Sequence, residues 1–71
     1  MNQTEFLLKG ELVKRGLSIP KICDLTGISR KRMYSHLKAN TFTQHEIGLI
    51  SDAAGFTNED MLCIFFGRKV S

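Results

Sequence analysis

Residues 17–34 read LSIPKICDLTGISRKRMY, and this stretch predicts two short helices joined by a tight turn. Ser18 and Ser29 each have an apolar residue immediately before them and another four positions after them. A serine in this setting caps the first backbone N–H groups of a helix, while the two apolar side chains clamp the entry of the chain. Gly27 ends the first helix, because glycine adopts a left-handed conformation without a side-chain clash. Pro20 falls in the first turn of that helix, where its missing N–H costs little.

The same capping signal occurs five times along the chain and predicts an all-α domain. The capping residues are Asn2, Ser18, Ser29, Thr43 and Thr57. An acidic residue occupies the third helical position after three of these caps, at Glu5, Glu46 and Asp60. Residues suited to helix ends stand at Gly16, Gly27, Asn40 and Gly55. Together these signals predict five helices, near residues 3–15, 19–26, 30–38, 44–54 and 58–66.

Length and composition predict one small domain without catalytic machinery. A chain of 71 residues supports one hydrophobic core, and we expect a single domain over residues 1–66 followed by a short tail at 67–71. The sequence has no carboxylate pair, Cys–His dyad, glycine-rich phosphate loop or metal-ligand spacing, so we expect no enzyme activity, metal, cofactor or small-molecule substrate. Cys23 and Cys63 are typical of free thiols in a reducing compartment. The chain begins without a secretory signal, and its longest apolar run, Met61–Phe66, is too short for a membrane span, so we expect a cytoplasmic protein.

Positive charge is concentrated in the first part of the chain. Residues 1–41 carry eight Lys/Arg and three Asp/Glu, a net charge of +5, whereas residues 42–71 carry two and four, a net charge of −2. No acidic residue occurs between Leu25 and His45. A localised basic surface of this kind favours a polyanionic partner, although an ordinary solvated face is the alternative.

Helical periodicity gives the second and third helices an apolar side and a polar side. The predicted inward residues are Ile22, Cys23, Ile28, Met33 and Leu37. The side chains that then face outward on the third helix, and that we predict to contact DNA bases, are Ser29, Arg30, Lys31, Tyr34 and Ser35. The alternatives are a solubilising cluster for the three consecutive basic residues and a half-buried rim position for Tyr34. We expect His36 at the flank of the helix.

A second set of polar residues is suited to the phosphates of a DNA backbone. They supply ammonium, guanidinium, hydroxyl and amide groups around the third helix, together with the backbone N–H groups at the start of the fourth. The predicted phosphate contacts are Ser18, Lys21, Arg32, Lys38, Asn40, Thr41, Thr43 and Gln44.

Residues 17–34 resemble the helix-turn-helix of the Cro/C1-type (XRE-like) family of phage and bacterial transcriptional regulators. The Gly27-Ile28-Ser29 turn and its apolar spacing carry the resemblance, and IGLISDAAGF at residues 47–56 is similar to that family's fourth helix. The resemblance covers roughly residues 6 to 65. It implies a lambda-repressor-like domain of five helices, with the helix-turn-helix at helices 2 and 3, that binds operator DNA through its third helix, often as a dimer. It further implies control of a phage lysis–lysogeny switch in a bacterial or phage-infected cell.

Two features favour a protein partner. The family usually has Gln where Ile19 stands, and we expect Ile19 to present an apolar group at the DNA-facing edge. The run Met61–Phe66 is apolar on every side. We expect Met61 and Phe65 to pack inward, and Leu62, Cys63 and Phe66 to face outward. The residues predicted to contact a second copy or another protein are Ile19, Leu62, Cys63 and Phe66. The alternative is that helix 1, itself broadly apolar, and the tail cover this run.

The sequence therefore supports two functions. The first is a DNA-binding transcriptional regulator that binds operator DNA with its third helix in the major groove. The second is a modulator, an anti-repressor or co-repressor, that acts by complexing a partner repressor and binds DNA only weakly by itself.

Overall fold

Five helices and no strands make up residues 3–66, the part of the chain that the computed structural model describes. The helices are α1 (Gln3–Lys14), α2 (Ile19–Thr26), α3 (Arg30–Ala39), α4 (Gln44–Ala54) and α5 (Asn58–Phe66). The all-α prediction is confirmed, and each predicted helix agrees with the observed bounds to within one residue. The predicted cap at Asn2 and the tail at residues 67–71 lie outside the described residues.

The predicted caps hold the starts of four helices. Ser18 Oγ accepts a hydrogen bond from the N–H of the third residue of α2, and Ser29 Oγ does the same at α3. At α4 the capping box is reciprocal: Thr43 Oγ1 accepts from the Glu46 N–H at 3.2 Å, and Glu46 Oε1 accepts from the Thr43 N–H at 3.0 Å. The same reciprocal pattern starts α5. Local sequence signals therefore determine where these helices begin.

Left-handed residues end the first four helices, as predicted. Gly27 has a φ of 78° and donates its N–H to the Cys23 carbonyl at 2.9 Å, which leaves only residues 27–29 to connect α2 to α3. Asn40 ends α3 with a φ of 55°, the conformation that asparagine tolerates best after glycine. Gly16 and Gly55 adopt similar backbone conformations after α1 and α4.

The buried side chains form one core to which every helix contributes. The largest fully buried side chains are Leu8, Leu12, Ile22, Met33, Leu37, Ile50 and Ile64. The five residues predicted to face inward from the α2–α3 pair are all buried, as expected. The most extensive helix contacts join α1 to α5 and α2 to α4, while α3 contacts both α1 and α2. The described chain is therefore a compact all-α domain in which α3 has one side against the core and the other toward solvent.

Ile19 lies in the core, contrary to prediction. Only 5 % of its surface is exposed, and it lines a groove together with Leu12 and Leu17 at the end of α1. At the first position of α2 the side chain joins the core cluster, and Leu12 of α1 lines the same groove. Burial of an aliphatic side chain is favourable, and Ile19 therefore does not present an apolar group at the edge of the domain.

The C-terminal apolar run is partly buried and partly exposed. Phe65 is buried, as predicted, and so is Ile64, whereas Met61 is half-buried. Phe66 is 54 % exposed, as predicted. Leu62 and Cys63, both also expected toward the outside, are half-buried. Within residues 3–66, no helix combines the length and the apolar character that a membrane crossing requires.

Ser51 carries a buried hydroxyl group that makes no hydrogen bond to any of residues 3–66. The residue is buried, with 5 % of its surface exposed, so its Oγ has neither a partner within residues 3–66 nor ready access to solvent. Removing an unsatisfied buried hydroxyl eliminates its desolvation cost, and alanine also favours the helix. We expect Ser51→Ala to raise the free energy of unfolding by about 1 kcal/mol, measured by urea denaturation. The exposed Ser35→Ala on α3 serves as the control and should gain at most about 0.5 kcal/mol; equal gains would show that burial of Ser51 is not the cause.

Candidate nucleic-acid interface

The solvent side of α3 carries the predicted base-contacting residues together. Met33 and Leu37 are fully buried, one turn apart, so the opposite side of this ten-residue helix faces solvent. The five predicted base contacts, Ser29, Arg30, Lys31, Tyr34 and Ser35, are all exposed. The exposed groups are guanidinium, ammonium, phenol and hydroxyl, all of which donate hydrogen bonds to nucleic acid.

The cap at Ser29 sets the direction of the first turn of α3. Its Oγ accepts from the Arg32 N–H at 3.2 Å, which keeps its hydroxyl hydrogen available as a donor. The capped turn begins with Arg30 and Lys31, and no acidic residue occurs in it. Both cations therefore project from a rigid helix end rather than from a loop.

Tyr34 is exposed, as predicted, and it also lies at the rim of an apolar groove. It remains 39 % exposed and lines a groove of about 280 Å³ with Val13 of α1 and Pro20 of α2. Ser18 lines the same groove. The start of α2, with its predicted phosphate contact at Ser18, is thus brought beside the middle of α3.

The predicted phosphate contacts are exposed and lie in α3 or beside its two ends, and the hydroxyls of Ser18, Thr41 and Thr43 already take part in hydrogen bonds. Ser18 and Lys21 lie at the start of α2, and Lys38 lies near the end of α3. The segment after α3 contributes Asn40, Thr41, Thr43 and Gln44, all exposed. Thr43 Oγ1 is used in the capping box, and Thr41 Oγ1 lies 2.8 Å from His36 Nδ1. These two threonines therefore offer phosphate less hydrogen-bonding capacity than their sequence positions suggest.

The carboxylate of Glu46 packs against α3, and this contact was not predicted from the sequence. Its Oε2 accepts from Arg32 Nε at 2.8 Å and lies 3.2 Å from His36 Nε2. Its Oε1 accepts from both the N–H and the hydroxyl of Thr43, each at 3.0 Å. The Thr43–Glu46 capping box was visible in the sequence, but the contact with α3 depends on how α4 packs. Because Glu46 is buried, the exposed face of α3 stays free of acidic side chains.

His36 links the flank of α3 to the segment that follows it. The imidazole is partly buried between Glu46 and Thr41, and its ring centroid lies 5.5 Å from that of Phe42. Phe42 in turn packs edge-on against Phe65 at 5.5 Å. The predicted flank position of His36 is confirmed, and the contacts hold the α3–α4 connection against the core.

The ionised form of Glu46 is favoured in the folded protein. Burial opposes ionisation, but the hydrogen bonds from Thr43, the charge of His36 and the hydrogen bond from Arg32 outweigh it and lower the pKa of Glu46. A lowered folded-state pKa stabilises the fold above the unfolded-state value of about 4.3, and this contribution is lost as the pH falls through the folded-state value.

We expect Glu46→Gln to lower the free energy of unfolding by roughly 1 kcal/mol at pH 7, because the amide cannot accept as many hydrogen bonds. The difference from the unmodified chain should be present at pH 7 and should shrink at a pH below the lowered folded-state pKa of Glu46, where the carboxylate is protonated. Urea denaturation at both pH values measures it. A difference that does not change with pH would mean that ionisation of Glu46 does not stabilise the fold.

Cys23 has the properties of a packing residue. Burial raises the pKa of its thiol despite the opposing charge of Arg30, so the thiol stays protonated at neutral pH. Within residues 3–66, no group of three or more His, Cys, Asp or Glu side chains is placed to hold a metal ion.

A separate apolar surface lies between α1 and α5. Phe6, 66 % exposed, lines a groove of about 360 Å³ together with Cys63 and Ile64. Phe66 adds a second exposed aromatic ring at the end of α5. Helix α1 therefore covers part of the C-terminal apolar run and also extends the exposed apolar surface.

No protein-family model, curated protein or solved structure matches this chain. Its function is therefore inferred from the surface that α3 and the neighbouring helices present.

Proposed function

We propose that this chain is a DNA-binding transcriptional regulator of the Cro/C1 type, with α2 and α3 as the helix-turn-helix of a lambda-repressor-like domain. The observation that carries the proposal is the exposed face of α3. It presents Arg30, Lys31, Tyr34 and Ser35 on one side of a helix whose other side is anchored by fully buried Met33 and Leu37. A rigid, cationic helix face without exposed carboxylates is suited to the major groove of DNA.

Recognition would divide between bases and phosphates. Arg30 and Lys31, in the first turn of α3, are in the part of a recognition helix that enters the groove, where either can donate to guanine O6 and N7. Ser18 and Lys21 on one side, and Asn40 and Gln44 on the other, flank α3 and would contact the backbone. The phosphate contacts set the register, and the α3 side chains supply the sequence preference.

A dimer would bind two half-sites. In this docking mode, two recognition helices lie about 34 Å apart, one turn of the DNA helix, so that both reach the same face of the duplex. The operator would then be close to palindromic.

Selection of bound sequences from a random DNA library tests this function directly. The purified chain, without any other protein, should enrich a common sequence over successive rounds. If the chain binds the library without enriching any sequence, and added salt abolishes this binding, the chain binds DNA only as a non-specific polyanion. That result would contradict the proposed function.

The second candidate is a modulator that binds a partner repressor, and the exposed rings of Phe6 and Phe66 favour it. Apolar surface exposed in this way commonly marks a protein contact. The burial of Ile19 removes one of the two sequence features that suggested this function. Gel-shift assays of a repressor on its operator, with and without this chain, distinguish the candidates: a modulator changes repressor binding while having weak affinity for DNA by itself.

A further inference from the structure

We propose that Glu46 is a positioning residue, which tethers Arg32 so that its guanidinium group binds a single backbone phosphate of DNA. The proposal rests on the proposed DNA-binding function and deepens it. Arg32 was predicted to contact phosphate from its sequence position alone, whereas the role of Glu46 follows from the contact between α3 and α4.

The ion pair joins a buried group to an exposed one. The Glu46 side chain is 4 % exposed, and the Arg32 side chain is 61 % exposed. Arg32 Nε donates to Glu46 Oε2 at 2.8 Å, and within the described residues this is the recorded contact of its side chain. The two terminal amino groups of the planar guanidinium therefore keep their N–H donors for a ligand such as phosphate.

The carboxylate is also fixed from its other side, so it is a rigid anchor. Two hydrogen bonds from Thr43, each 3.0 Å long, hold Oε1 at the start of α4, and His36 lies 3.2 Å from Oε2. The two hydrogen bonds from Thr43 offset part of the negative charge of Glu46. Arg32 can then remain attractive to an anion even though it is paired.

Solvent reaches the guanidinium through a groove beside α3. Arg32 lines this groove, of about 380 Å³, with Ser29 and His45, between the α2–α3 turn and the start of α4. A long cationic side chain normally loses much conformational freedom when it binds a phosphate, which weakens the contact. Because the hydrogen bond to Glu46 already restricts the Arg32 side chain, Arg32 loses less conformational freedom when it binds a phosphate.

The tether and simple electrostatics predict opposite changes in DNA affinity for Glu46→Gln. The substitution removes a negative charge near the DNA surface, so charge alone would strengthen binding. We expect instead that the affinity for a fluorescein-labelled duplex of mixed sequence falls roughly threefold or more, because the tether is lost. Fluorescence anisotropy well below the unfolding temperature of each variant measures this affinity.

A double-mutant cycle separates positioning from a purely structural role. In an Arg32→Ala background, Glu46→Gln should cause no further loss of affinity. A loosened α4 cap would weaken binding equally in both backgrounds, and that result would overturn the proposal.

Arg32→Lys gives an independent test if Glu46→Gln fails to fold. Lysine keeps the positive charge, but it cannot bind Glu46 through an Nε donor and a phosphate through separate terminal amino groups at the same time. The affinity should therefore again fall roughly threefold or more, and an unchanged affinity would overturn the proposal.

Failure of this inference is distinguishable from failure of the proposed function. If the chain selects a DNA sequence and Arg30→Ala weakens binding to it, but Glu46→Gln leaves affinity unchanged or raises it, only the tether is wrong. If the chain selects no sequence and Arg30→Ala has no effect, the DNA-binding function on which the tether rests is wrong as well.

Discussion

Arg30→Ala is expected to weaken binding of the chain to its selected DNA sequence by roughly 1–3 kcal/mol, which corresponds to about 5-fold to 150-fold in affinity. Arg30 lies in the capped first turn of α3, and its side chain is exposed. A guanidinium at this point can donate two hydrogen bonds to one guanine, and alanine leaves both acceptors of that base without a partner. Because the lost contact is with a base, the substitution should also relax the sequence preference at one position of the site.

Two further substitutions provide the controls for Arg30→Ala. Lys38→Ala should weaken binding to all sequences alike and reduce the slope of log affinity against log salt by about one unit, as expected for a lost phosphate contact. Lys14→Ala removes an exposed cation of α1 that lines the groove between α1 and α5, and it should have little effect on sequence preference. If all three variants lose affinity equally and keep the same sequence preference, Arg30 does not read a base.

Leu37→Ala is expected to destabilise the domain by about 2–5 kcal/mol. Leu37 lies on the inner side of α3 and is 0 % exposed, so truncation removes buried methyl groups and leaves a cavity. A domain of this length has a free energy of unfolding of roughly 4–10 kcal/mol, so the loss is a large part of the total. Urea denaturation followed by circular dichroism measures the change.

Leu25→Ala is the matched control for this substitution. Leu25 lies on α2 and is 51 % exposed, so the same chemical change should cost less than about 1 kcal/mol. Similar losses at the two positions would mean that Leu37 is not packed in a common core beneath the outer face of α3. DNA binding by Leu37→Ala should recover at low temperature if the fold is retained, since no DNA-facing group has been removed.

Local signals were sufficient to predict the helical framework. The capping serines and threonines lie within four residues of the groups they bind, and each left-handed C-terminal residue acts on its own helix. Gly27 and Asn40 show this most clearly, because the φ angles of 78° and 55° follow from the residue type at each helix end. Such interactions depend on neighbours in the chain, so they can be read without knowledge of the tertiary structure.

Contacts between distant parts of the chain were not predictable in the same way. Ile19 was assigned to the surface because the family that the sequence resembles usually has Gln at that position, but the fold places it in the core. Glu46 gave a correct capping-box signal, yet its ion pair with Arg32 joins residues fourteen positions apart on different helices. The exposed face of α3 was predictable because a single helix determines it: with Met33 and Leu37 inward, helical geometry places the cationic side chains outward.

NMR chemical-shift mapping would show whether the outer face of α3 is the DNA-binding surface of this chain, as we propose. The ¹⁵N-labelled chain would be titrated with its selected duplex, and the backbone amide signals followed residue by residue. The largest changes are expected from Ser29 to Ser35, with smaller ones at the start of α2 and at the start of α4. Changes confined to α1 and α5, around Phe6 and Phe66, or no change at all, would contradict this proposal.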